Sequence, residues 1–211
     1  MNNYWSGVST GWYIDDVAVA AVPASVTTPY AADFESGLGA WWASNGQWQI
    51  GTPSAGPIAC YSGTQCAGTV LGGNYVDTDT SLVTPSITLP ALGANEELQL
   101  RFWQWNSFAV NSNGHDTGRI YIQEQTSPGV WTALVELTQF YGSSGAVWTR
   151  SMVDVSAYAG KKVRLHFQLV NNYWSGTSTG WFIDDVSVAP VQTSLTIPFS
   201  IDLESGLGDW W

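Results

Sequence analysis

The chain has 211 residues, of which 45% are hydrophobic, 14% aromatic and only 11% charged. Disordered chains are rich in charge and poor in aromatics, so this composition predicts a folded protein with a neutral surface rich in Ser, Thr, Gly and Asn. The 17 acidic residues against 6 basic ones give a formal net charge of -11. This charge argues against nucleic-acid binding, which needs a basic face.

The beginning of the chain recurs at its end. Residues 2–42 align with residues 171–211 at a fixed offset of 169, with 28 identities in 41 positions. An internal repeat of this period sets the size of the structural unit. The flanking Pro-, Thr-, Ser- and Val-rich stretches at 23–29 and 190–197 are interpreted as linkers. The phase predicts a complete domain at 30–189, the C-terminal end of a preceding copy at 1–22 and the N-terminal start of a following copy at 198–211. A circular permutation is the alternative.

A short loop holds the two cysteines. Cys60 and Cys66 flank a Ser-Gly turn in the stretch CYSGTQC, and no second Cys or His pair lies near them in sequence. The spacing suits a small disulfide loop better than a metal site. A disulfide implies an oxidising, extracytoplasmic setting, whereas two free thiols in a reduced compartment are the alternative.

Alternating hydrophobic and polar residues predict strands through the middle of the chain. LQLRFWQW places Leu98, Leu100 and Phe102 on one face, and KVRLHFQLV alternates in the same way from residue 163 to 169. GRIYIQEQ and VWTALVEL are separated by a Ser-Pro-Gly turn and predict a hairpin. Only DVSAYAG predicts a helical turn. The expected fold is an all-β, antiparallel two-sheet sandwich.

The order of these motifs resembles the MAM-like jelly-roll domains of bacterial secreted proteins. This is the type attached to immune inhibitor A peptidases and to cell-surface proteins with tandem modules. The resemblance covers residues 33–189, through the stretches DFESGLGAWW, WQIGTPSAGP, CAGTVLGGNY, LVTPSITLP, LQLRFWQW, HDTGRIYIQ, VWTALVEL, DVSAYAGKKVRLHFQLV and GWFIDDVSVA. It implies a jelly roll, and for such domains an accessory role in binding, adhesion or spacing.

The resemblance also implies a structural calcium site. In related jelly rolls of the carbohydrate-binding type, carboxylates of the first and last strands hold the ion, which implies Glu35, Asp185 and either Asp33 or Asp184 here, with backbone carbonyls as further ligands. Strand geometry predicts that Asp33 and Glu35 share a face, while Asp184 and Asp185 point to opposite faces. The alternative is that one Asp caps a turn and the other is solvated.

Aromatic residues suggest a sugar-binding surface. Trp103 and Trp105 lie on the strand face opposite Leu100 and Phe102, where they form a possible glycan platform or pack inside the other sheet. Trp41 and Trp42 are adjacent, so in a strand they must point in two directions and one of them is expected to be less buried. Large aromatics that simply fill the core are the alternative.

No catalytic signature accompanies these candidates. HExxH, G-x-S-x-G and phosphate-loop motifs are absent from the sequence. Asp77 and Asp79 form a weaker acidic pair, for which turn formation is the expected role. The sequence therefore predicts a non-enzymatic, extracellular or cell-surface protein, without a membrane span.

The leading function is a structural tandem-repeat protein that builds a filament, stalk or adhesin from other copies of the unit. A variant joins separate subunits by exchange of the terminal strands. A carbohydrate-binding module attached to a secreted hydrolase, with surface polysaccharide as partner, is the alternative function.

Overall fold

The computed structural model describes residues 25–45 and 47–193, so the partial repeat copies predicted at 1–22 and 198–211 lie outside the described residues. The strands are β1 (Val26–Thr27), β2 (Tyr30–Ala32), β3 (Trp42–Ser44), β4 (Gln49–Gly51), β5 (Cys66–Gly68), β6 (Thr80–Val83), β7 (Ile87–Thr88), β8 (Glu96–Ser107), β9 (Val110–Asn111), β10 (Gly114–His115), β11 (Thr117–Ser127), β12 (Val130–Trp131), β13 (Val135–Tyr141), β14 (Thr149–Asp154), β15 (Lys162–Val170) and β16 (Gly180–Gln192). A 3₁₀ turn at Ser156–Tyr158 fulfils the helical-turn prediction.

Two sheets form a β-sandwich, which confirms the predicted fold class. In the eight-stranded sheet β3, β6, β15, β11 and β13 lie side by side, with β7 and β1 beside one end of β15 and β12 beside one end of β11. In the six-stranded sheet the order is β14, β8, β16, β5 and β4, and β2 also pairs with β16. β1 and β7 pair in parallel, whereas the other pairs that build these two sheets are antiparallel.

The core lies between the sheets, where the alternation of the long strands predicts it. From β8 the inward residues are Leu98, Leu100 and Phe102, and they meet the buried side chains of β11 and β15. The ring of Phe102 packs edge-on against Phe167 at 5.2 Å between centroids. The two outer faces of the sandwich therefore carry the alternate residues of each strand. These faces differ in how far a loop covers them.

Both ends of the described unit lie at one end of the sandwich. The Ser25 hydroxyl is 2.8 Å from that of Thr88, and the Thr193 amide donates to the Asn95 carbonyl at 2.8 Å. The structure thus places strand β1 and the last residues of β16 within the segments interpreted as linkers, 23–29 and 190–197. No helix among the described residues is long and apolar enough to cross a membrane.

Candidate functional site

A loop covers the outer face of the six-stranded sheet. Residues 52–65 connect β4 to β5, and we call them the covering loop. Gly56 has φ +78°, and a Cβ there would lie 2.7 Å from the Phe182 ring and 3.2 Å from the Trp105 ring. Only glycine allows this approach, so the loop backbone packs directly on the two aromatic side chains and buries them.

The two tryptophans predicted as a glycan platform both lie beneath this loop or against it. Trp105 is 8% exposed and meets Phe182 edge-on at 5.6 Å. Trp103 stacks under Tyr61 of the loop, with 3.8 Å between ring centroids and 13° between the planes. The exposed ring at this position is therefore Tyr61, at 41%, rather than either tryptophan.

The carboxylate of Glu35 accepts hydrogen bonds from the C-terminal end of the covering loop. Its Oε1 accepts the amides of Thr64 at 2.8 Å and Gln65 at 2.7 Å, and its Oε2 accepts the Thr64 hydroxyl at 3.0 Å. These hydrogen bonds, with that of Gln65 the strongest, lower the pKa of Glu35. Gly63 makes the contact possible, because a Cβ there would collide with the carboxylate.

Asp184 and Asp185 hold the same loop from β16. Asp184 is fully buried and accepts the Ser62 amide at 3.1 Å, while Asp185 accepts the Ser62 hydroxyl at 3.0 Å. Burial raises the pKa of Asp184 to about 6, against the opposing effect of its amide hydrogen bonds. The prediction that the two acids point to opposite faces is wrong. Asp185 has φ +46° within a register shift between Asp184 and Ser187, and this bulge turns both carboxylates toward the loop.

Asp33 and Glu35 also depart from strand geometry. β2 ends at Ala32, and the Asp33 carboxylate accepts the Glu35 amide at 3.1 Å in a turn. Phe34 between them has φ +59° and packs into the core against Trp41 at 5.3 Å. The chain reverses at this point, so the shared-face prediction for Asp33 and Glu35 is also wrong.

These four acids do not converge as a metal site. Within residues 25–45 and 47–193, no group of three or more His, Cys, Asp and Glu side chains could hold a metal ion. Glu35 and Asp184 are bound by loop amides, as described above. Asp33 and Asp185 line a cleft of about 340 Å³ together with Ala31, Ala32, Val186 and Ser187. The donor set for calcium is therefore at most this pair of carboxylates with nearby carbonyls.

A disulfide joins the covering loop to the sheet. Cys60 in the loop is bonded to Cys66, which is fully buried in β5. The Thr52 hydroxyl donates to the Thr64 carbonyl at 2.7 Å and closes the neck of the loop. The bond agrees with the pairing that the cysteine spacing predicts.

The motif that opens the repeat, NNYWSG at 171–176, has a structural role. Asp116 is fully buried and accepts hydrogen bonds from the Asn171 side chain at 3.2 Å, the Asn172 amide at 2.8 Å and the hydroxyls of Ser175 and Tyr75. The acidic pair at 77 and 79 supports the same loop, since Asp79 accepts the Asn171 amide at 2.8 Å. The motif anchors a loop through Asp116, which is 56 positions from Asn172 and therefore gives no local sequence signal.

The outer face of the eight-stranded sheet carries a partly exposed aromatic and polar cluster. Its members are Trp42, Gln123, Trp131, Arg164 and His166, which we call the Trp42–Trp131 face. The Arg164 guanidinium lies 4.4 Å from the centre of the Trp131 ring and 5.9 Å from that of Trp42. Trp42 is 44% exposed, whereas its neighbour Trp41 is buried, as the two directions of that pair require.

Hydrogen bonds fix the polar side chains of this face. Gln123 Nε2 donates to the Thr132 carbonyl at 2.6 Å, so its Oε1 turns to Arg164 Nε at 2.8 Å and His166 Nε2 at 2.9 Å. An amide oxygen only accepts, and His166 therefore carries its proton on Nε2. Burial, reinforced by the neighbouring Arg164 charge, lowers the pKa of His166 to about 4. The imidazole is consequently neutral at physiological pH, and its hydrogen bond to Gln123 fixes the orientation of the ring.

The sequence predicts that one of Trp41 and Trp42 is less buried, but it does not indicate which one, nor the other members of this face. Trp131 and Arg164 lie in segments whose sequence predicts strands, but their common face depends on the order β3, β6, β15, β11 and β12. The available signal was the outward-facing residues of each alternating strand.

Comparisons with known proteins add the following findings. No family model matches the chain. Bacillopeptidase F of Bacillus subtilis (strain 168) is 32% identical over 185 residues, or 86% of this chain, which spans only 12% of the length of that relative.

Among solved structures, the cleaved adhesin domain of Lys-gingipain from Porphyromonas gingivalis matches 75% of this chain and 96% of its own, at 20% identity and a TM-score of 0.49. The CBM22-2 xylan-binding domain from Paenibacillus barcinonensis matches 78% of this chain and 100% of its own, at 10% identity and a TM-score of 0.47. With both scores below 0.5, the fold rests on the strand order described above.

Proposed function

We propose that this chain is a non-catalytic, glycan-binding β-sandwich module of a longer extracellular protein, and that the Trp42–Trp131 face binds the glycan. One observation carries the proposal: two partly exposed indoles flank hydrogen-bonding side chains that are already fixed on a rigid sheet. Aromatic faces supply apolar contact to a sugar ring, and preset polar groups supply direction at low entropic cost.

Two further observations support the setting of the module. The Cys60–Cys66 disulfide is typical of oxidising, extracytoplasmic compartments. The relative named bacillopeptidase F is much longer than this chain, which corresponds to 12% of it, and this favours one module among several. The finer assignment to MAM-like domains stays a prediction, based on the motifs quoted above.

Affinity electrophoresis through gels that contain single polysaccharides tests the proposal. We expect retardation by at least one polysaccharide, with Trp131→Ala or Trp42→Ala weakening the binding by about tenfold or more, the effect of losing a central aromatic contact. Trp174→Ala is the matched control, because Trp174 is 74% exposed in the loop after β15, outside this face. Equal losses for Trp131→Ala and Trp174→Ala would contradict the assignment of the face.

A tandem array is the second candidate function, and the internal repeat favours it. At the offset of 169 positions, residues 194–211 repeat the sequence of 25–42. Residue 195 aligns with the first residue of β1, while β16 ends at Gln192, so successive units would follow one another with almost no linker. Such units would be joined at the same end of each sandwich.

Small-angle scattering of a chain with two successive units tests this candidate. Direct joining predicts one narrow distribution of distances between the two units. A broad distribution, typical of domains that tumble independently, would contradict the array and with it the predicted filament or stalk.

The calcium site at Asp33, Glu35, Asp184 and Asp185 stays a prediction. The cleft lined by Asp33 and Asp185 supports a narrower version, because the other two acids are bound by loop amides. Titration of EDTA-treated protein with calcium should raise the melting temperature, and Asp185→Asn should abolish the rise. An unchanged melting temperature of the wild type would count against the site.

A further inference from the structure

Basic residues are concentrated on one face of an acidic protein. The outward positions of the central strands β11 and β15 alternate with core residues, and they include Arg119, Lys162 and Arg164 but no acid. Half of the chain's 6 bases thus stand on one sheet face, although the chain carries 17 acids. The neighbouring strand β13 adds Glu136, which pairs with Arg119 at 3.1 Å. The face has a local positive charge that the overall charge of -11 conceals.

Arg164 is the cation at the centre of this face. Its ε N–H donates to Gln123, and its planar group lies between the rings of Trp42 and Trp131. Within the described part of the chain, no carboxylate forms an ion pair with it. Partial burial lowers the pKa of Arg164, which reflects the energetic cost of removing a cation from water without a counter-charge. An anion bound at this position would offset that cost.

We propose that the Trp42–Trp131 face selects acidic polysaccharides, with the carboxylate of a uronic acid residue bound by the Arg164 guanidinium. The inference rests on the glycan-binding function proposed above and specifies its ligand class. A guanidinium presents two parallel N–H groups that match the two oxygens of a carboxylate. The ε N–H is held by Gln123, so the terminal nitrogens remain to meet the ligand, while the indoles flank the sugar rings.

The charge balance of the whole chain favours a sparsely charged polymer over nucleic acid. A nucleic acid presents a phosphate every few ångströms and needs an extended basic track. This face offers three bases, one of them already paired, on a protein with net charge -11. A uronic acid polymer carries one carboxylate per sugar and can place one of them on Arg164 while its rings contact tryptophan.

The test measures the binding of three polymers to the full 211-residue chain by isothermal titration at low salt. The polymers are polygalacturonate, the same polymer after methyl esterification, and a neutral galactan. Esterification removes the charge and retains the sugar backbone. Polygalacturonate should bind about tenfold more tightly than the esterified polymer, the ratio expected for one charge-assisted hydrogen-bonded contact. This preference should shrink as salt is added.

Two variants test whether Arg164 causes the preference for polygalacturonate over its methyl ester. Arg164→Gln should bring the ratio close to one, whereas Arg150→Gln, which removes one positive charge from the six-stranded sheet, should leave it unchanged. Equal binding of the free and esterified polymers by the wild type would overturn the inference and leave the glycan-binding function standing. Failure to bind any of the three would overturn the inference, and the gel screen described above would then decide the glycan-binding function separately. Tighter binding of single-stranded DNA than of polygalacturonate, lost in Arg164→Gln, would also overturn the choice of uronate.

Discussion

His166 makes the stability of this domain depend on pH in a way that a single substitution can isolate. The residue is 7% exposed, and burial lowers its pKa from 6.5 to about 4. The unfolded chain therefore binds a proton on His166 more readily than the folded one, so acid favours unfolding between these two values. Relative to a protein without the histidine, the wild type should lose about 2 kcal/mol of stability at pH 5 and about 3 kcal/mol at pH 4.

Urea unfolding of the wild type and His166→Gln at pH 7.5, 5 and 4 measures this difference. Glutamine can still donate to Gln123 and does not titrate, so at pH 7.5 the two proteins differ only by repacking. The raised pKa of Asp184 acts in the opposite direction, because a buried acid is less costly when protonated. Both proteins contain Asp184, and subtraction removes its contribution. A difference in unfolding free energy that stays constant from pH 7.5 to pH 4 would refute the burial argument.

Three further substitutions probe the loops. Replacing Cys60 and Cys66 together by alanine should lower the unfolding free energy by about 2 kcal/mol in urea titrations, and reductant should do the same to the wild type but not to the variant. Gly56→Ala should cost about 2 kcal/mol in the same titration, since its Cβ would overlap Phe182; an unchanged midpoint would show that the loop can lift away. Asp116→Asn should lower thermal stability by about 3 kcal/mol, because an amide nitrogen would face donors, and a neutral effect would contradict the buried network.

The long strands were predictable because strand alternation is a local signal. β8 and β15 each bury every second residue over most of their length, so their strands and inward faces follow from short stretches of sequence. The alternation fails at the end of β8, where Gln104, Trp105 and Asn106 are all buried. There the covering loop adds a second layer, which no local pattern of β8 contains.

The loop itself was not predictable, because its position depends on contacts between distant residues. The Ser62 amide binds a carboxylate 122 positions away, and the Gln65 amide binds one 30 positions away. The acids are evident in the sequence, but the resemblance to calcium-binding jelly rolls predicts a cation as their partner. In the structure, backbone amides of residues 62, 64 and 65 satisfy two of them.

The aromatic residues on the two outer faces of the sandwich thus differ in how they are packed. On the six-stranded sheet, Trp103 and Trp105 are bound internally by Tyr61, Phe182 and a disulfide-closed loop, so their surface contributes to stability. On the eight-stranded sheet, Trp131 contacts Arg164, whose terminal donors face no acid of the described chain. Removing a cation from water without a counter-charge is costly, and an anion bound at Arg164 would offset that cost. Within the described chain, this cation without an acidic partner, more than the number of aromatic rings, therefore distinguishes the proposed binding face from the loop-covered one.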